Sequence, residues 1–391
     1  MKSKLLSNLE ILDYVRNHNF FKDSDNLKCI EIGDGNINYV FKVSDNNSGK
    51  SIIVKQSDVY LRSSGRPLDI NRSEIEYNAL ISQYKNYPGS VPKVYFYDKE
   101  RSVIIMEDIS SYKNLRKELK KGNIYNHLSD SLSEFLKRTL IPMTDYVLSR
   151  KEKKLNVKKF INPDLCDITE DLVLTEPYFN YKDRNIINKD LIKYVEQNIY
   201  EDKKLICEVL KLKDNFQSNS QALIHGDLHT GSIFVNENGI KVIDPEFSFY
   251  GPMGYDIGNV WGNISFALAN SLILKDKRKN ALNKLLEETI DMTIFKLYDA
   301  YDKYIKNEYF KNELFKQTYI SEVIADSFGY AGTEIIRRDI GDSKVEEITS
   351  LKDRDKRKKL DILLINFGKY LILNRYKIKY GKEVVDYINN L

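Results

Sequence analysis

The sequence predicts an α+β fold, with a small β-rich N-terminal lobe over residues 1–109 and a larger, mostly helical C-terminal lobe over residues 110–391. Strand-like apolar runs are concentrated before residue 110, and longer runs with helical apolar spacing follow it. A single hairpin-like unit at 224–246 interrupts the helical part.

In chain order, the strand signals are Ile30-Glu31-Ile32, Tyr39-Val40-Phe41-Lys42-Val43, Ile52-Ile53-Val54-Lys55, Val94-Tyr95-Phe96-Tyr97 and Val103-Ile104-Ile105-Met106. Each is a short run of β-branched, aromatic or other apolar residues. Between the third and fourth lies a helical run over 71–83, with Ile75 and Ala79 one turn apart. Beyond residue 110 the spacing predicts helices over 132–140, 191–212, 264–274, 282–304 and 360–373. Ile233-Phe234-Val235, the turn Glu237-Asn238-Gly239 and the returning run 240–243 form the hairpin. Asp256, at an expected helix start, either caps that helix or ties down the preceding loop, and Trp261 belongs to the core.

With 42% hydrophobic residues, the 391-residue chain is long enough for two lobes around sizeable cores. Its net charge of +4 is spread along the chain, so no basic stripe predicts nucleic-acid binding. The basic stretches 151–159 and 352–359 read as solvated helix faces. Cys29, Cys166 and Cys207 are widely spaced and odd in number, which predicts buried or inert thiols rather than disulfides or a zinc site. The polar N-terminus lacks a signal-peptide core, and no run reaches about 18 continuous apolar residues. The expectation is a cytoplasmic protein with no membrane partner.

The chemistry is concentrated in Ile224-His225-Gly226-Asp227-Leu228-His229-Thr230-Gly231-Ser232, followed seventeen residues after Asp227 by Asp244-Pro245-Glu246. The hairpin brings Asp244 back beside Asp227. One carboxylate can then orient an attacking hydroxyl while Asp244 and Glu246 hold Mg²⁺ on nucleotide phosphates, which is the layout of a kinase site. Asp244 and Glu246, two apart, are expected on one side of an extended segment. Asp227 is the predicted catalytic residue, with His225 supporting its loop by hydrogen bonds and His229 given no catalytic role.

For the nucleotide, Gly33 and Gly35 in Glu31-Ile32-Gly33-Asp34-Gly35-Asn36-Ile37-Asn38 would let backbone N–H groups approach phosphate oxygens. Lys55 ends an apolar strand and suits the α/β-phosphates, with Glu76 on the following helix as its partner and Glu74 as a competitor. Met106-Glu107-Asp108-Ile109 closes the last strand, where backbone groups can pair with the adenine edge.

These residues resemble the protein-kinase-like small-molecule phosphotransferases and, within them, the methylthioribose kinase family. The resemblance covers nearly the whole chain. It rests on the glycine-containing turn through Phe41, on Asn162-Pro163-Asp164-Leu165-Cys166-Asp167-Ile168-Thr169-Glu170, on the run from Leu223 through Gly258, and on Glu334-Ile335-Ile336-Arg337-Arg338-Asp339-Ile340-Gly341. It implies a protein-kinase-like bilobal fold and ATP- and Mg-dependent phosphorylation of the 1-hydroxyl of 5-methylthioribose, in methionine salvage, by a homodimer. It also implies that Asn38 and Lys55 contact ATP, that Glu107, Asp108 and Ile109 form the adenine hinge, and that Asp227, Arg337 and Arg338 meet the substrate. Taken alone, tandem arginines on a helix belong to the surface.

Two positions depart from related patterns. Aminoglycoside and choline kinases usually carry Asn as a metal ligand five residues after the catalytic Asp, where this chain has Ser232, so the Glu246 carboxylate is expected to supply the missing coordination. In Leu61-Arg62-Ser63-Ser64-Gly65-Arg66-Pro67-Leu68, Arg66 stands where relatives often carry Trp. An aminoglycoside or choline kinase is the alternative reading, which Arg337 and Arg338 oppose. A nucleotide-binding scaffold without activity is opposed by Lys55, Asp227, Asp244 and Glu246.

Overall fold

The computed structural model describes residues 5–32, 38–60 and 67–391. Contacts divide the chain into one unit of Met1–Tyr112 with Lys241–Phe247, and a second of Lys113–Ile240 with Ser248–Leu391. Expected in the helical lobe, residues 241–247 instead count with the first unit. The reason is specific bonding: Lys241 Nζ lies 2.6 Å from Glu107 Oε2, and the Val242 N–H donates to Ser90 O at 2.8 Å.

The first unit contains α1 (Asn8–Asn17), β1 (Leu27–Glu31), β2 (Tyr39–Asp45), β3 (Ser51–Gln56), α2 (Arg72–Asn86), β4 (Val94–Asp98) and β5 (Val103–Glu107). A capping box starts α1, with the Ser7 hydroxyl accepting from the Glu10 N–H and the Glu10 carboxylate accepting from the Ser7 N–H. The strands form one antiparallel sheet in the order β1-β2-β3-β5-β4. Alternation along β3 decides the chemistry. Ile52 and Val54 join Phe41, Val43, Val103 and Ile105 in a core closed by Ile11 and Val15 of α1. Lys55 therefore points to the opposite face, where α2 supplies its partner.

In the second unit the predicted helices lie within Leu128–Leu140, Met253–Leu274, Lys279–Tyr304 and Arg354–Asn374. The expected helix over 191–212 is broken. Ile192–Val195 passes into a π-helical turn, Glu196–Tyr200, and a new helix, Lys203–Ser218, starts where Asp202 accepts from the Lys204 and Leu205 N–H groups. Glu313–Ile340 is the longest helix among the described residues, and its C-terminal half is buried on all sides rather than along one stripe.

Met253–Leu274 and Glu313–Ile340 approach closely along Gly254, Gly258 and Gly262, which are spaced one turn apart. A Cβ on Gly258 would stand 2.4 Å from Ser327 O and 2.6 Å from Ala331 N, so only glycine permits this packing. Met253–Leu274 is long and apolar enough to cross a membrane, but 83% of its apolar window is buried inside the protein, as a core helix requires. Trp261 on it is 2% exposed. All three cysteines are free, with Cys29 and Cys166 half-buried and Cys207 exposed.

Candidate active site

The predicted site residues fall into two groups of polar side chains, one in each unit. In the first, Lys55 is 3% exposed, with Nζ 2.6 Å from Glu76 Oε1 and 2.5 Å from Asp244 Oδ1. Glu74 pairs instead with Lys99 at 2.8 Å. Burial opposes the Lys55 charge, but Asp244, Glu76 and Glu246 outweigh it and hold its pKa above the usual lysine range. Burial also pushes the Glu76 carboxyl up, against the opposing effect of Lys55.

Asp244 and Glu246 are not on an extended segment. Asp244 has φ +62°, in the left-handed region that Asp tolerates better than most residues, and Pro245–Phe247 forms a 3-10 turn. This leaves the Asp244 carboxylate 47% exposed while Glu246 is buried. Glu246 Oε2 accepts from Asn38 Nδ2 and from Arg72 Nε, each at 3.2 Å, and Arg72 Nη2 donates to Asn38 Oδ1 at 3.1 Å. Arg72, absent from the sequence expectations, was detectable: it lies one helical turn before Glu76, on the face that meets Lys55.

Glu107 also receives the Lys93 N–H at 3.0 Å, beyond its ion pair with Lys241. Asp108 lies 2.8 Å from Lys42 Nζ and accepts from Ser51 Oγ at 2.6 Å. Burial raises the Asp108 pKa, but hydrogen bonds from Lys42, Ser110 and Ser51 bring it down to about 2. Ile109 O accepts from the Tyr112 N–H at 2.8 Å. The carboxylates of Glu107 and Asp108 are thus both engaged in holding the first unit together. Gly33, Gly35 and Arg66 lie outside the described residues.

In the second unit, the strand Ala222–Ile224 leads into the loop of Asp227. Gly226 has φ +83°, a conformation that costs glycine little. Pro252 precedes the helix that carries Asp256, and the Asp256 carboxylate accepts from the His225 N–H at 2.6 Å and the Gly226 N–H at 3.0 Å. Of its two expected tasks, Asp256 performs the second, fastening the loop. His225 Nδ1 accepts from the Asp227 N–H at 3.3 Å. Ser232 Oγ donates to His229 O at 2.8 Å and accepts from the His229 N–H at 3.1 Å, so its hydroxyl closes the loop. A Cβ on Gly231 would meet the His229 ring at 2.8 Å and Arg116 at 3.3 Å.

Around the Asp227 carboxylate stand His229 Nε2 at 3.5 Å, Arg337 Nη2 at 3.7 Å and Arg338 Nη2 at 4.0 Å. The arginines are 8% exposed, not surface residues. Burial pushes the Asp227 carboxyl up, but His229, Arg338 and Arg337 more than offset it and hold it below the ordinary range. Burial also lowers the His229 pKa to about 4, so the ring adds its charge only in acid, and at neutral pH Arg337 and Arg338 are the cations that face the Asp227 carboxylate. Glu334, which accepts from Arg337 Nε at 2.5 Å and Arg338 Nε at 2.9 Å, was not anticipated, although its i,i+3 and i,i+4 spacing is a legible signal. Asn263, which donates to Glu334 Oε1, comes from a distant helix and leaves no such trace.

The chain is 38% identical over 371 residues to a methylthioribose kinase from Geobacillus sp. (strain WCH70), covering 93% of this chain and 90% of that protein. It is also 38% identical over 368 residues to the methylthioribose kinase of Bacillus velezensis, covering 94% and 91%. Residues 178–281 match the Phosphotransferase enzyme family. Among solved structures, a Plasmodium vivax ethanolamine kinase aligns with a TM-score of 0.47 and 16% identity, covering 96% of this chain and 92% of that one.

Proposed function

Because this chain belongs to the methylthioribose kinase family, we propose that it transfers the γ-phosphoryl group of ATP to the 1-hydroxyl of 5-methylthioribose, giving the 1-phosphate and ADP in methionine salvage. The observation that carries the reading is the ionised Asp227 carboxylate flanked at 3.7 and 4.0 Å by Arg337 and Arg338. Asp227 orients the acceptor hydroxyl and takes its proton as the oxygen attacks phosphorus. The guanidinium groups hold sugar hydroxyls and stabilise negative charge that develops during transfer. Cationic acceptors such as choline or an aminoglycoside would meet unfavourable charge there.

The donor belongs to the first unit. Lys55, balanced by Glu76 and Asp244, suits the α/β-phosphates, Asn38 the nucleotide, and the main chain of residues 107–109 the adenine edge. The donor set fits Mg²⁺: two carboxylates, one half-exposed, suit a hard cation that takes its remaining ligands from phosphates and water. Asp244 and Glu246 are the residues that would hold it, and the ion would neutralise phosphate charge.

An ADP-release assay across methylthioribose, ribose, choline, homoserine and kanamycin, with Asp227→Ala as control, tests the reading. Turnover is expected with methylthioribose and should disappear on chelation of Mg²⁺. Turnover of another acceptor, with methylthioribose no better than the control, would overturn it. The family resemblance also implies a cytoplasmic homodimer, and light scattering on the purified protein tests the dimer.

A further inference from the structure

A chain of hydrogen bonds links the Asp227 loop to the arginine pair without passing through Asp227. Arg116, on the helix Leu115–Lys121, donates its main-chain N–H to Thr230 O at 3.1 Å and its Nε to Thr230 Oγ1 at 3.3 Å. Its Nη2 donates to Asn263 Oδ1 at 2.9 Å, and Asn263 Nδ2 donates in turn to Glu334 Oε1 at 3.0 Å. Glu334 is 1% exposed and takes the Nε–H of Arg337 on one oxygen and that of Arg338 on the other. With each guanidinium fixed at Nε, Nη2 of both residues is left directed toward Asp227 Oδ1.

We propose that Glu334 is a positioning residue for phosphoryl transfer, aligning Arg337 and Arg338 on the acceptor site and tied through Asn263 and Arg116 to the loop that carries Asp227. This rests on the kinase reading above. One carboxylate between two guanidinium groups also sets the charge. The pair presents one net positive charge to Asp227 instead of two, enough to keep the carboxylate ionised without removing its basicity. His229, Arg116, Tyr255 and Asp256 are the other titratable groups that face Asp227 or Glu334 among the described residues. Glu334 raises the Asp227 pKa, so its neutralisation must lower it.

The test uses full-length wild type, Glu334→Gln and Glu334→Asp, each checked for native circular dichroism and melting, with methylthioribose as acceptor. Glu334→Gln should lower kcat about 100-fold, the scale expected when reacting groups are misplaced by about 1 Å. The KM for ATP should not change. The acidic limb of the kcat/KM profile should move to lower pH, and Glu334→Asp, which keeps the charge, should recover part of the rate. Wild-type kcat in Glu334→Gln overturns the proposal. So does a loss of rate with an unmoved acidic limb and no recovery in Glu334→Asp, which marks a buried ion pair that only supports the fold. If wild type fails to phosphorylate methylthioribose, the kinase-substrate reading falls separately. A crystal structure of Glu334→Gln then decides: displaced guanidinium groups support the positioning role, and unmoved ones overturn it.

Discussion

Replacing Asp227 with Asn should lower kcat for methylthioribose about 1000-fold, within the range for loss of a general base, and leave the KM for ATP unchanged. Asn keeps the size and can still accept a hydrogen bond, but it cannot take the acceptor proton. The loop should keep its shape, because its fastening is independent of the Asp227 side chain. Asp256 holds the His225 and Gly226 N–H groups, and Ser232 closes the turn. The nearest cationic nitrogens stand 3.7 and 4.0 Å from the carboxylate, too far for strong direct hydrogen bonds that Asn would break. Steady-state kinetics with an unchanged melting temperature would check this. More than a tenth of wild-type kcat in Asp227→Asn would move the base role elsewhere.

The largest effect on stability is expected at Arg72. Its side chain is 1% exposed, and its guanidinium binds both Glu246 Oε2 and Asn38 Oδ1. Arg72→Met fills similar volume but removes the counter-charge from a buried carboxylate, which costs about 3–5 kcal/mol. Burial already pushes the Glu246 pKa up, with Lys55 and Arg72 opposing it, so the variant should also make Glu246 easier to protonate. Urea unfolding measures the loss. The double variant Arg72→Met/Glu246→Gln should recover part of it, since neither charge then lies unpaired. A loss below about 1 kcal/mol would mean that solvent reaches Glu246 and the pair adds little.

What was legible in the sequence follows from local periodicity. The strands of the first unit announced themselves by short apolar runs, and alternation along Ile52-Ile53-Val54-Lys55 was enough to aim Lys55 at α2. Glu334 and its arginines sit at helical spacing, and that signal was present although unused. The left-handed Asp244 was not legible, because residues far away in sequence, Lys55 among them, surround its turn. Nor was the break before Lys203, where no proline or glycine interrupts the pattern and one Asp side chain redirects the backbone. Glu313–Ile340 showed no apolar stripe because its C-terminal half has no solvent side.

The return of Lys241–Phe247 to the first unit has a consequence for biosynthesis. As the chain leaves the ribosome, the sheet can pair as soon as Glu107 has emerged, but Lys55, Arg72 and Glu107 must wait for Asp244, Glu246 and Lys241. Until then, a half-built lobe holds Lys55 with Glu76 as its one carboxylate partner and Arg72 without Glu246. The first segment of the second unit, Lys113–Ile240, is synthesised across that interval, so the two halves cannot mature strictly one after the other. A fragment stopped at Tyr112 would be caught at this stage, with its strands complete and its electrostatics unfinished.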